Sequence, residues 1–215
     1  MAKKLEISAA DFLPERRTLK TLRQAAQGCR GCDLWMRGTQ TVFGEGKPGG
    51  EIMMVGEQPG NDEDLQGRPF VGPAGKILDR ALGAAGIDRA DVYLTNAVKH
   101  FKWEPRGKRR IHKKPSATEI SACRPWLDEE INAVRPKVIV CLGATAAQAL
   151  LGRNFKVTQA RGKVISTGGI PIIATVHPSS ILRSPDEESR HAEMAMLIDD
   201  FRVVASHIRT LPKAA

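Results

Sequence analysis

The sequence predicts a three-layer α/β/α fold in which helices flank a central, mainly parallel sheet. Three observations lead there. Short apolar runs recur at residues 52–55, 92–95, 138–142 and 170–176, and stretches of helical apolar spacing separate them. Residues 138–142 (Val-Ile-Val-Cys-Leu) are apolar on both faces, as a strand covered from two sides requires. Polar residues then follow the ends of strand after strand.

Each element carries its own signal. Residues 17–27 have helical spacing and lead into Cys29-Arg30-Gly31-Cys32, two cysteines separated by two residues. The run 52–55 ends in a glycine-containing turn, as for a buried strand. Residues 73–85 place Ile77, Leu78, Ala81 and Leu82 at helical intervals, and residues 92–95 (Val-Tyr-Leu-Thr) are rich in β-formers. Ser116 precedes Glu119 by the spacing of a capping box, so a helix starts behind Pro115 and runs to Val134 before Pro136 ends it; Cys123 and Trp126 lie on it. A strand at 138–142, a helix at 144–151, a strand at 170–176 and a helix at 187–208 complete the pattern. Residues 102–114, rich in glycine and basic side chains, read as an exposed loop. No repeat or linker interrupts the chain, so residues 1–215 are expected to form one domain with a basic insertion at about 102–115.

Composition narrows the function. No apolar run is long enough to span a bilayer, and the first twenty residues mix charges with short apolar groups where a signal peptide has an apolar core; a cytoplasmic protein with no membrane partner is expected. Four unevenly spaced cysteines suit metal ligation or burial better than a disulfide scaffold. The formal net charge is +9, and residues 99–124 hold nine Lys or Arg against Glu104 and Glu119. Such clustering suits a polyanion held through phosphates, although a solvated loop carries charge runs too.

Ligands of open α/β sheets bind beyond the carboxyl ends of the strands. There the chain places Gly56-Glu57-Gln58-Pro59-Gly60, Asn96 and His177-Pro178-Ser179-Ser180. Singly, each residue reads as a cap or turn; together, at equivalent strand ends, they define a candidate site. Their types suit a nucleobase. An amide matches the edge of a flipped pyrimidine, an aromatic such as Phe70 stacks on its face, and imidazole stabilises an anionic leaving base. Phe70 alone reads equally well as core.

Four ordered motifs carry a resemblance: Gly56-Glu57-Gln58-Pro59-Gly60, Pro69-Phe70-Val71-Gly72, Thr95-Asn96-Ala97-Val98-Lys99 and His177-Pro178-Ser179-Ser180-Ile181-Leu182-Arg183. They resemble the motifs of iron-sulfur (family 4) uracil-DNA glycosylases over roughly residues 29–183. The resemblance implies the same fold, a monomer, uracil-containing DNA as substrate, with single strands and duplexes both open, and uracil as product. It implies that Phe70 stacks on uracil, Asn96 bonds its edge, His177 stabilises the departing anion, and Glu57 and Gln58 lie under the sugar. Gly56, Ser179 and Arg183 would complete the substrate pocket. Glycosidic cleavage develops positive charge on deoxyribose and negative charge on the base, so a carboxylate and an imidazole each stabilise one partner.

Two features depart from that pattern. Family 4 enzymes place a third cysteine ligand after the Asn-x-Val-Lys stretch; this chain has His100 there, while Cys29, Cys32 and Cys123 match the other ligands. The resemblance thus implies a 4Fe-4S cluster held by Cys29, Cys32, His100 and Cys123. Cys141 would complete an all-cysteine set, but it lies in an apolar strand where free cysteine is commonly buried, and three Cys with one His also suit zinc.

The second departure is Gly107-Lys108-Arg109-Arg110-Ile111-His112-Lys113-Lys114, which resembles the KRRIH loop of UdgX-type glycosylases, described as bonding covalently to uracil-containing DNA. It implies that His112 attacks C1′ once uracil leaves, in a single-turnover reaction. Glu57 would orient or deprotonate His112, Gln58 would hold the sugar side, and Arg110 would neutralise phosphate or brace the loop. Lys108, Arg109, Lys113 and Lys114 would meet the DNA backbone. By spacing alone, His112 reads as a loop histidine touching phosphate. A turnover family 4 enzyme and a non-catalytic iron-sulfur nucleic-acid binding module are the other readings; persistence of the product complex and dependence on uracil separate them.

Overall fold

Alternating strands and helices build the computed structural model, which describes residues 7–166 and 168–211. In chain order they are α1 (Leu19–Ala26), β1 (Ile52–Gly56), α2 (Asn61–Gln66), α3 (Pro73–Ala84), β2 (Val92–Asn96), β3 (Trp103–Arg106), β4 (Arg109–His112), α4 (Ala117–Val134), β5 (Val138–Leu142), α5 (Ala144–Leu151), α6 (Val157–Ala160), β6 (Val164–Ile165), β7 (Ile172–Thr175), α7 (Pro178–Ile181) and α8 (Glu187–Thr210). The central sheet has the order β2-β1-β5-β7-β6. Its pairs are parallel except β6, which lies antiparallel to β7 at one edge.

Burial on both faces explains the apolar runs. Met53, Val55, Tyr93, Ile139 and Cys141 face α1, α4 and α5, whereas Ile52, Met54, Leu94, Val140 and Ile173 face α3 and α8. Alternate residues of the same strand thus enter opposite cores, as the two-residue strand period dictates. The chain moves outward from β1 to β2 and then crosses back to β5 on the other side of β1. The order therefore reverses between β1 and β5, and a crevice opens at such a switch point.

Several segments differ from the sequence expectation, among them residues 157–165, which form α6 and the edge strand β6 where no element is expected. The stretch 102–114, expected as an exposed loop, is largely exposed but forms a β-hairpin: β3 and β4 pair antiparallel, with Trp103 opposite His112. Gly107, at φ +58°, takes the left-handed backbone the turn requires. The hairpin lacks apolar alternation because neither of its faces enters the core. Helix α2 was also unread, since Asn-Asp-Glu-Asp-Leu-Gln has no apolar face; Glu63 stabilises it by accepting from the Gly60 N–H at 3.0 Å. No helix among the described residues is long and apolar enough to cross a membrane.

Candidate active site

A cavity of about 620 Å³ occupies the switch point, and Glu57, Gln58, Phe70, Asn96, His112 and His177 line it. Glu57 and Gln58 follow β1, Asn96 ends β2, and His177 caps α7 behind β7. Glycines let these groups approach. A Cβ on Gly56 would collide with Asn96 Oδ1 and stand 2.7 Å from Phe70 Cζ, so only glycine leaves the amide and the ring side by side. Phe70 sits at φ +56°, a left-handed conformation that is uncommon for an aromatic residue and often marks a functional position. A Cβ on Gly75 would overlap the Phe70 carbonyl, so a second glycine makes room for that backbone. Glu63 ties the two loops together, accepting from Gly60 N at 3.0 Å and Gly72 N at 2.8 Å.

The rings of Phe70 and His177 lie 6.1 Å apart and 26° from parallel. The Ser179 backbone N–H donates to His177 Nδ1 at 3.1 Å, so Nδ1 carries a lone pair and Nε2 carries the proton. Arg183 Nη1 donates to Ser179 Oγ at 3.1 Å, and that hydroxyl lies 2.8 Å from the same Nδ1. Burial, with Arg183 and His112 nearby, lowers the His177 pKa to about 4. His177 is therefore a neutral donor able to meet developing negative charge without itself being charged.

His112 presents the opposite tautomer. Lys102 N–H donates to Gln58 Oε1 at 3.0 Å, which fixes the amide and turns its NH₂ towards the Lys113 carbonyl at 2.9 Å and His112 Nε2 at 2.9 Å. The same NH₂ also reaches the Lys102 carbonyl at 3.3 Å. An amide nitrogen cannot accept, so Nε2 of His112 takes the acceptor role with its lone pair towards Gln58, and that nitrogen stands 3.6 Å from Glu57 Oε1. Burial lowers the His112 pKa, assisted by Arg183 and opposed by Glu57. A neutral imidazole whose Nε2 is kept unprotonated by an amide donor, beside a carboxylate, is suited to a nucleophile once that amide releases it. Thr145, in the first turn of α5, donates its hydroxyl to Glu57 Oε2. Sequence reading missed both Thr145 and Glu63; the end of β5 was the one strand end whose polar neighbour was passed over.

The basic residues divide. Arg110 donates to Asp64 at 2.6 Å, Asn61 at 2.8 Å and Thr39 at 3.1 Å, and its guanidinium lies over Phe101 and Trp103. It braces the hairpin from outside the cavity wall. Lys113 pairs with Glu104 at 2.9 Å, Lys108 and Arg109 are exposed near the turn, and Lys114 reaches the cavity.

A second constellation surrounds Cys29, Cys32 and Cys123. Trp126 Nε1–H donates to Cys29 Sγ at 3.2 Å, and Lys99 N–H donates to Cys123 Sγ at 3.3 Å. Burial raises the Cys123 thiol to about 12; Lys99 opposes this, and Cys32 and Cys29 add to it. His100 and Cys29 share a cavity of about 330 Å³. His100 Nε2 lies 2.9 Å from Thr41 Oγ1, and burial lowers its pKa to about 4. Cys141 stands apart, its thiol raised to about 12 by burial with only Arg124 acting against that. Among the described residues no group of three or more His, Cys, Asp or Glu side chains is arranged to hold a metal ion. The chemistry of the donors nevertheless fits a sulfur-bound group: three neighbouring cysteines, two of them receiving N–H bonds, and a neutral imidazole close by.

Fold and site together define a member of a known class. The sequence profile of the uracil DNA glycosylase superfamily matches residues 43–202, and the chain belongs to that superfamily. Its relatives include the type-4 uracil-DNA glycosylase of Thermotoga maritima, 37% identical over 193 residues that cover 89% of this chain and 95% of that protein. The type-4 uracil-DNA glycosylase of Sulfurisphaera tokodaii is 38% identical over 178 residues (79% and 78%), and that of Archaeoglobus fulgidus 38% over 176 (78% and 85%).

Proposed function

We propose that the protein excises uracil from DNA and then stays joined to it through a bond between His112 and C1′. Membership of the superfamily and the type-4 relatives support the excision. The observation that carries the trap is the unprotonated His112 Nε2, held by the Gln58 amide in the wall of the cavity 3.6 Å from the Glu57 carboxylate.

In the proposed sequence Phe70 stacks on the extruded base and Asn96 reads its edge. As the bond between C1′ and N1 breaks, its electron pair leaves with uracil, and the His177 Nε2–H donates to the anion. Glu57 stabilises the positive sugar. His112 Nε2 then leaves its hydrogen bond from the Gln58 amide and gives the pair to C1′, and the Nδ1 proton can pass to water. Gln58 has already left Nε2 unprotonated, so Glu57 orients His112 and stabilises charge without acting as its base. The bond that forms has a poor leaving group, which makes the reaction single-turnover.

A 4Fe-4S cluster on Cys29, Cys32, His100 and Cys123 belongs to the same reading. When bound, it would supply an electron-transfer group and a clamp between the 29–32 segment and α4. The Trp126 and Lys99 donors support Cys29 and Cys123 in this ligand set.

The test mixes the protein with a uracil oligonucleotide and its thymine control, boils both in detergent and resolves them on a denaturing gel. A uracil-dependent shifted band that disappears in His112→Ser, with abasic product in its place, is expected. Excision without a shifted band would make this a turnover enzyme.

A further inference from the structure

Beside the candidate active site lies a second cavity, of about 510 Å³, between α4 and α5. Lys114 and Thr145 line both cavities, so the two meet along a shared rim. Pro115, Ile120, Pro125 and Ala149 give the second an apolar floor. Lys114, Arg124 and Arg153 also line it, and no Asp or Glu does. Arg124 is committed to Asp128 at 2.6 Å and to the Ala149 carbonyl. Lys114 and Arg153 form no ion pair among the described residues, in contrast to the neighbouring Lys113 with Glu104.

We propose that this cleft holds the nucleotide next to the uracil on the same DNA strand, its base against the apolar floor and its phosphate at Lys114 and Arg153. The inference rests on the uracil-excising reading given above. A strand whose uridine enters the first cavity must continue over the rim, and the Lys114–Thr145 edge is where the open space continues. The volume lies within the roughly 300–1,000 Å³ of small-ligand pockets. Aliphatic and proline side chains accept the face of any base, while cations hold the phosphate without reading sequence. The cleft therefore adds affinity and placement with little base preference. The protein's strong positive charge bears on general DNA attraction, whereas this cleft acts only when the adjoining nucleotide exists.

The experiment measures single-turnover excision on oligonucleotides carrying uracil internally, at the 5′ end or at the 3′ end. Wild type is compared with Arg153→Ala and with Ser121→Trp, which fills the cleft from an exposed position on α4. Each variant is expected to lose about tenfold in kmax/K½ on internal uracil and on the terminal substrate that keeps the cleft nucleotide. Each should match wild type on the substrate that lacks it. Equal losses on all three substrates, or no loss on any, would overturn the assignment. Failure of wild type to excise even internal uracil would sink the parent reading and this one with it, and that result is distinct from the others.

Discussion

The Ser179 N–H leaves the His177 proton on Nε2, while the Gln58 amide leaves the His112 lone pair on Nε2. Two neutral imidazoles thus line one cavity as donor and acceptor, the pairing that the proposed reaction requires for the opposite charges on base and sugar. Glu57→Gln should keep the Thr145 hydrogen bond yet slow excision about a hundredfold, measured by single-turnover kinetics; an unchanged rate would remove Glu57 from the mechanism. The pH dependence follows from the lowered His112 pKa. Adduct formation should be flat around pH 7 and decline on the acid side of the ordinary imidazole value, because protonation removes the attacking pair. A rate that rises towards acid would contradict this assignment. Stability has the same sense: His177 stays neutral in the fold down to about pH 4, so the unfolded chain binds more protons below pH 6.5 and stability falls as pH drops from there.

Among the elements, the β3–β4 hairpin distinguishes this site, because it delivers His112 from outside the sheet. Arg110 anchors it to α2 through Asp64 and Asn61 and packs over Phe101 and Trp103. Arg110→Ala should loosen the hairpin without disturbing the central sheet. Excision would persist while the ratio of adduct to free abasic product falls about tenfold on denaturing gels; a retained ratio would show that the hairpin holds itself. Four strands of the central sheet were legible in the sequence because two-sided burial leaves unbroken apolar runs, as at residues 52–55, whereas the edge strand β6, two residues long and partly exposed, carries no such run. The hairpin and α2 were not, since both lie outside the core and are held by polar contacts between distant residues such as Arg110 and Asp64. Glu57, Asn96 and His177 stood out because strand ends impose polarity. Thr145 and Glu63 act through other residues, which local sequence does not reveal.

Across the whole molecule, a buried charge network joins the candidate active site to the cysteine constellation. Lys99 Nζ donates to the Asn96 carbonyl at 2.7 Å, to Thr95 Oγ1 at 2.7 Å and to Glu130, while its backbone N–H meets Cys123. Glu130 also accepts from Tyr93 and from the Gly44 N–H. Glu130→Leu leaves Lys99 buried without a countercharge and should destabilise the fold by about 3–5 kcal/mol in urea denaturation; a change near zero would show that water or another acceptor replaces Glu130. The cluster proposal predicts lower iron content in His100→Ala and unchanged iron in Cys141→Ala by metal analysis, and the reverse pattern would transfer the ligand role to Cys141.

The central claim, that His112 bonds to the sugar, is tested most directly by locating the modification. The protein is reacted with a uracil oligonucleotide, digested with nuclease and trypsin, and sequenced by tandem mass spectrometry. A deoxyribose-phosphate addition on His112, between Arg110 and Lys113, is the predicted result; an addition on another residue, or an unmodified His112 after complete uracil release, would contradict it.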